Sequence, residues 1–517
     1  MSSESTPGSA SATAPAQQIA AGYAVQGQAL ELGTVVVDGT ADPTAQIRIP
    51  LATVNRHGLV AGATGTGKTK TLQVIAEQLS AAGVPVLMAD VKGDLSGLSR
   101  PGESNDKITE RAKETGDKWE ASAFPVDFLS LGTKGIGVPV RATIASFGPI
   151  LLSKVLGLNA TQESTLGLIF HWAGQQNLEL LDLKDLRAVI SYLTDDQGKA
   201  ELKSLGGVSA QTAGVILRAL VNLEAEGADT FFGEPELKPK DLLRFDDKGR
   251  GVISLLELGD QAARPVLFST FLMWVLSDLF KSLPEIGDVD KPKLVFFFDE
   301  AHLLFTEASK AFLEQVEQTV KLIRSRGVGV FFCTQLPTDV PNEVLSQLGA
   351  RIQHALRAFT PDDQAALTKT VRTYPKTDVY DLASALTSLG IGEAVVTVLS
   401  ERGAPTPVAW TRLRSPRSLM AAIGDDAISA AAKGSPLQAT YGETKDRESA
   451  YEKIQAKIAQ AAANQPAAAG SKPAPAEAVK KPGWWKRFVN SRGFQTFLKA
   501  LGTELIRGML GNGRRRR

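Results

Sequence analysis

The sequence predicts an α/β fold built on a mainly parallel sheet, with an inserted α-helical subdomain and a small N-terminal β region. Three observations predict it. A short apolar run, Gly58 to Ala61, leads into a glycine-rich loop and then a helical pattern from about Lys68 to Ala82. A second apolar run, Pro85 to Ala89, follows at the spacing of a strand–helix–strand unit, which makes the sheet parallel. A third run, Leu294 to Phe298, is continuous rather than alternating, as in a buried strand, and ends in two acids.

The remaining elements follow in chain order. Residues 1–20 are rich in Ser, Ala, Thr and Pro, a composition expected to be disordered. Residues 21–55 form the small β region, with strands at Thr34–Val37 and Ala45–Pro50 around an Asp38-Gly39 turn signal. The first part of the core occupies 56–99. Residues 100–249 read as a mainly helical insertion, with a charged, solvated helix near Asn105–Ala121. Helical spacing then appears at Pro149–Leu156, Thr161–Gln175, Leu183–Leu193 and Ser209–Glu226. The core resumes over 250–415. There the strands are expected at Gly251–Leu258, Leu294–Phe298, Gly329–Cys333, Arg351–Ala358 and Glu393–Leu399, and the helices at Pro265–Leu283 and Val316–Arg324. Ala-rich C-terminal helices (416–463), an Ala/Pro/Lys linker (464–482) and a basic amphipathic tail (483–517) close the chain.

The bulk properties set limits. With 517 residues and 43% hydrophobic content, a sizeable core is available. The net charge is +1, so any nucleic-acid binding rests on local patches rather than on global charge. The lone cysteine, Cys333, excludes an internal disulfide and a cysteine-based metal site and fits a reducing, cytoplasmic setting; it reads as core packing. The four histidines are scattered, which argues against zinc. The N-terminus lacks the basic start and apolar run of a secretory signal, and no apolar stretch approaches the ~18 residues a spanning helix requires.

The chemistry concentrates in a few strings. Gly62-Ala63-Thr64-Gly65-Thr66-Gly67-Lys68-Thr69 matches the phosphate-binding pattern G-x-x-x-x-G-K-S/T, with a strand before it and a helix after. Its glycines let backbone N–H groups turn toward phosphate oxygens, and the following helix aims its positive end at the same anion. Lys68 then serves the β- and γ-phosphates, the Thr69 hydroxyl ligates Mg²⁺, and Lys70 completes the nucleotide-binding set. ATP and Mg²⁺ are the expected cofactors. Asp299 and Glu300 end the Leu294–Phe298 strand at the sheet edge where ligands bind. Asp299 is expected to hold Mg²⁺ and Glu300 to orient and deprotonate the attacking water.

Gln335, at the end of the next strand, is placed to contact the γ-phosphate or the lytic water. Phosphoryl transfer is helped by a guanidinium supplied in cis or by a neighbour. Arg324 and Arg326 in Ile323-Arg324-Ser325-Arg326 are the leading candidates, with Arg351 and Arg357 behind them. Asp90 and Asp94, in the turn Asp90-Val91-Lys92-Gly93-Asp94, either help place water and metal or simply close a tight glycine turn.

Taken together, the phosphate loop, ADVKGDLSGL, FFFDEAHLLF, LIRSRGVGVFFCTQLPTDVP and RIQHALRAFTPDDQ resemble the HerA-like branch of the HerA/FtsK ATPases, most of all the YjgR-type bacterial putative helicases. The resemblance spans roughly residues 25–440. It implies a RecA-like core, ATP as nucleotide, hexameric rings and movement on double-stranded DNA. It also implies that Arg324 is the finger acting in trans and that Gln335 is the sensor. The large N-terminal barrel of archaeal members is reduced here to residues 25–55, so docking of a nuclease partner through such a barrel is not expected. The string Asp299-Glu300-Ala301-His302 also occurs in two-core helicases, but this chain carries a single phosphate loop and no second core, which favours a ring whose sites are completed between subunits.

From Lys480 to Arg517 eleven basic residues stand against one acid, with Trp484, Trp485, Phe488, Phe494 and Phe497 interleaved. Three readings stay open for this tail: DNA contact, an amphipathic helix on an anionic membrane surface, or an assembly helix packed on the ring. The functional alternative to a DNA motor is a ring-forming ATPase acting on protein or at a membrane surface.

Overall fold

The computed structural model describes residues 9–90, 93–202, 206–258, 265–287 and 289–463. The linker and basic tail, 464–517, lie outside the described residues, as do residues 1–8. The chain through Ile458 forms one compact unit, and a second begins at Ala459.

The described strands are β1 (Ala29–Val37), β2 (Thr40–Pro50), β3 (Gly58–Ala61), β4 (Val86–Asp90), β5 (Val126–Leu131), β6 (Val138–Val140), β7 (Ile253–Glu257), β8 (Leu294–Phe298), β9 (Val328–Thr334), β10 (Ala350–Gln353), β11 (Glu393–Thr397) and β12 (Ala409–Leu413). They make one sheet in the order β2-β1-β12-β11-β10-β3-β9-β8-β4-β7-β5-β6. Every pairing from β10 to β6 is parallel. Every pairing from β10 outward to β2 is antiparallel.

Strand β8 shows why its sequence is apolar without alternation. Leu294, Phe296 and Phe298 enter the core on one face, with Trp172, Phe268 and Phe312. Val295 and Phe297 enter the core on the other, with Leu72 and Ile75 of the Lys68–Ala81 helix. A strand with both faces covered has no solvent side to make polar. Each of these buried phenylalanines contributes about 2 kcal/mol by removal from water.

Three expectations are corrected. Residues 9–20, expected to be disordered, belong to a helix, Ser9–Ala21, whose Ala16 and Ile19 are buried. Those positions are three apart, so they share a helix face that packs with Leu30 and Ile47 of the β1–β2 hairpin. The N-terminal β region is no separate barrel remnant, because β1 pairs with β12, Gly33 opposite Leu413, and so extends the core sheet. The segment 100–249 is not helical throughout, since β5 and β6 join the sheet beside β7. The helical part proper begins at Ile144 and covers one face of the sheet. Among the described residues no helix is long and apolar enough to cross a membrane.

Candidate active site

The phosphate loop leaves β3 and is tied to the ends of both neighbouring strands. Gly62 N–H donates to Thr334 O at 3.2 Å and Ala63 N–H to Ala355 O at 2.9 Å. Gly62 has φ 151°, and a Cβ there would stand 2.5 Å from the Cβ of His354, so only glycine fits. Gly67, at φ 112°, is the N-cap of the Lys68–Ala81 helix. The Lys68 ammonium donates to Gly62 O at 2.7 Å and Ala63 O at 3.2 Å, so it lies folded across the loop. Thr69 is the second residue of the helix and half-buried. Lys70 turns away from the loop, to Asp94 at 3.4 Å.

Beneath the loop lies a residue the sequence did not single out as functional. His354 is fully buried, and its Nε2 meets Thr71 Oγ1 at 2.9 Å. Burial, followed by the positive charge of Lys68, lowers its pKa to about 4, so the imidazole is neutral. A third tether comes from the turn before β11, where Gly392 N–H donates to Thr66 O at 3.1 Å.

The acid pair follows β8, on the other side of β9 from the loop. Register places Ala61 opposite Thr334 and Phe298 opposite Phe332, so both groups emerge at the carboxyl edge, two strand spacings or roughly 10 Å apart. Asp299 Oδ1 accepts from Glu300 N–H at 2.9 Å, and Ala301 N–H donates to Cys333 O at 2.8 Å. Glu300 sits at φ 48°, the left-handed region that a side chain rarely adopts and that recurs at functional sites. His302 Nδ1 stands 3.4 Å from Glu300 Oε2. The Cys333 thiol, buried as expected, is pushed up by burial and by the charge of Asp299. Gln335 follows β9 directly and is exposed at the same edge.

The arginines divide by edge. Arg324 and Arg326 sit in the turn ahead of β9, at the amino edge of the sheet. The seven-residue length of β9 separates them from the phosphate loop, roughly 20 Å. Arg326 is engaged within the chain: it donates to Leu283 O, faces Glu285 at 3.6 Å, and lies 5.2 Å over the Phe280 ring. Arg351 donates to Thr373 O at 3.0 Å. Arg357, by contrast, reaches the phosphate loop of its own chain, at Thr64 O, 3.4 Å. Asp90 is buried and accepts from Gly93 N–H at 2.6 Å and Leu95 N–H at 2.7 Å, which is the tight-turn role.

Among the described residues no cluster of three or more His, Cys, Asp or Glu could hold a metal by itself. A hydroxyl from Thr69 and a carboxylate from Asp299 fit Mg²⁺ in another way, because that ion takes one or two protein oxygens and fills its octahedron with phosphate oxygens and water.

The chain is similar in sequence and in fold to known proteins. The double-strand break repair helicase HerA of Saccharolobus solfataricus (strain ATCC 35092 / DSM 1617 / JCM 11322 / P2) is 22% identical over 377 residues. The match covers 70% of this chain and 66% of that protein's length. The plasmid coupling protein TrwB superposes with a TM-score of 0.51 at 15% identity, both in its complex with ADP and Mg²⁺ and in its complex with the GTP analogue GDPNP. Each comparison covers 78% of this chain and 94% of that one. At that identity the likeness is one of fold, the RecA-like phosphate-loop core. The profile of the family described as "Helicase HerA-like C-terminal" matches residues 36–517. The chain belongs to this HerA-like family.

Proposed function

We propose that this chain is a magnesium-dependent ATPase, the subunit of a hexameric ring that moves on double-stranded DNA as a translocase or helicase. One observation carries the reading: the phosphate loop and the Asp299–Glu300 pair emerge on either side of the end of β9. Lys68, now on two loop carbonyls, is placed to exchange them for the β- and γ-phosphate oxygens. Thr69 and Asp299 would hold Mg²⁺, which would supply positive charge against the negative charge developing on the phosphates. Glu300 takes the proton of the attacking water, and Gln335 orients that water.

The arginines support a ring. Arg324 lies at the sheet edge opposite the phosphate loop, so its guanidinium meets a γ-phosphate only on another copy. Head-to-tail contacts of this kind close into a ring where the rotation between neighbours closes, and otherwise run into a filament. The relative named as a DNA double-strand break repair helicase supports DNA as the track.

A second reading, a ring-forming ATPase acting on protein or at a membrane surface, is favoured by the net charge of +1. ATP turnover of the purified chain, with and without double-stranded DNA at two salt concentrations, separates the two. Stimulation by DNA that weakens with salt supports the DNA motor, because phosphate contacts release counterions. Turnover that ignores DNA, and is abolished by Glu300→Gln, supports the second reading.

A further inference from the structure

The turn Gly390-Ile391-Gly392, between the Leu382–Ser388 helix and β11, is built more firmly than a surface loop requires. Arg111, from the Asp106–Thr115 helix, donates to Gly392 O at 3.0 Å, Leu413 O at 3.0 Å and Ile391 O at 3.3 Å. Glu393 accepts from Gly390 N–H at 2.8 Å, and its other oxygen is held by Arg412 at 3.0 Å. Gly390 O accepts from Glu393 N–H at 3.1 Å. All three carbonyls of the turn are therefore engaged within the protein.

What this scaffold presents is an isoleucine. Ile391 is 77% exposed, between two residues without side chains. Its neighbour Gly392 touches the phosphate loop: Gly392 N lies 3.1 Å from Thr66 O and 3.3 Å from where a Cβ on Gly67 would be. The backbone of such a loop cradles the α- and β-phosphates, and sugar and base continue outward from the α-phosphate. A rigid, branched apolar side chain beside that exit suits one flat face of a purine. Each carbonyl of the turn already accepts a hydrogen bond, and that of Gly392 accepts two, from Arg111 and from Leu413 N–H, so the turn offers the adenine amino group few acceptor positions.

We infer that Gly390-Ile391-Gly392 is the base-packing wall of the nucleotide site, held by Arg111, and that it grips a purine by contact area rather than by reading its edge. The inference rests on the nucleotide-binding reading above. It predicts similar affinities for ATP and GTP, and a lower affinity for tripolyphosphate, which has no base.

The test is equilibrium binding of Mg-ATP, Mg-GTP and Mg-tripolyphosphate to the full chain and to Ile391→Ser. This substitution is at an exposed site and leaves the fold intact. The expected result is ATP and GTP within a few-fold of each other in the native chain. In Ile391→Ser both weaken about tenfold, the value of one apolar contact surface, while tripolyphosphate is unchanged. Undiminished ATP affinity in Ile391→Ser overturns the base wall alone, as does an equal loss for tripolyphosphate. A strong native preference for ATP over GTP overturns recognition by contact area. Failure of all three ligands to bind the native chain overturns the nucleotide reading, and this inference with it.

Discussion

His354 Nε2 meets the Thr71 hydroxyl at 2.9 Å, joining the end of β10 to the helix that begins at Lys68. Thr71 also donates to Gly67 O at 3.3 Å, so the imidazole supports the last glycine of the phosphate loop through one hydroxyl. Replacing His354 by Ala opens a void behind Gly62 and removes the shorter of that hydroxyl's two hydrogen bonds. The expected cost is about 2–3 kcal/mol in denaturant unfolding, together with weaker ATP binding. Unchanged ATP affinity would restrict His354 to packing.

Acid should unfold the protein partly through its histidines. His57, like His354, is buried with a pKa lowered to about 4, by burial first. It accepts from Val330 N–H at Nδ1 and so donates from Nε2 to Val320 O. Between the usual 6.5 and about 4 the unfolded chain binds more protons, so stability is complete above 6.5 and fades as pH falls through that window. Thermal midpoints recorded from pH 7 down to pH 4 should drop. A flat profile over that range in a Glu257→Gln background, which removes an opposing carboxyl, would show that these rings are not held neutral by the fold.

Glu257 gives the opposite slope. It ends β7 opposite Asp90, its Oε1 has no hydrogen-bond partner, and burial followed by the charges of Asp90 and Asp425 pushes its pKa up to about 8. The folded state therefore holds a proton that the unfolded state releases near 4.5, and stability falls as pH rises from about 4.5 to about 8. Glu257→Gln should melt higher than the native chain at pH 8 and close to it at pH 5. Parallel profiles for the two proteins would refute the protonated carboxyl.

Lys68→Ala should lose ATP affinity, and Glu300→Gln should keep it while turnover drops roughly 10²–10⁴-fold, the usual worth of a positioned base. A Glu300→Gln chain that turns over normally would remove the base role.

The two neighbouring arginines should behave differently. Arg324→Ala is expected to lower turnover, and to be rescued in mixed rings by Glu300→Gln subunits, since each lacks what the other supplies. Arg326→Ala should mainly destabilise, by about 1–2 kcal/mol, because its guanidinium closes a backbone carbonyl and covers Phe280. Verified mixed rings without rescue would leave Arg324 no role across the interface.

The phosphate loop and the acid pair were legible because each is a contiguous string whose chemistry depends on its neighbours in sequence. β8 was legible to the residue, since five consecutive apolar residues leave little choice. β5 and β6 were not, because short runs inside a helical stretch carry no period of their own: β5 gains its place by pairing with β7, more than a hundred residues later, and β6 by pairing with β5. The helix Asp106–Thr115 read as solvated because it is mostly charged, yet its Arg111 clamps carbonyls near residue 392. His354 escaped notice for the same reason: nothing in its own strand announces that it lies under a loop at residue 62. The left-handed backbone of Glu300 is likewise invisible in a sequence, where acids are common after strands.

The pairing of β1 with β12 sets an order of events during synthesis. The nascent chain makes β1 and β2 first, and they can form their hairpin at once, but the outer edge of β1 finds its partner only when Leu413 has been made. Until then the growing polypeptide carries an open strand edge, the kind of surface that invites wrong pairing. The arrangement separates chemistry from closure: a chain cut short before residue 409 retains its phosphate loop and both acids, yet leaves that edge bare.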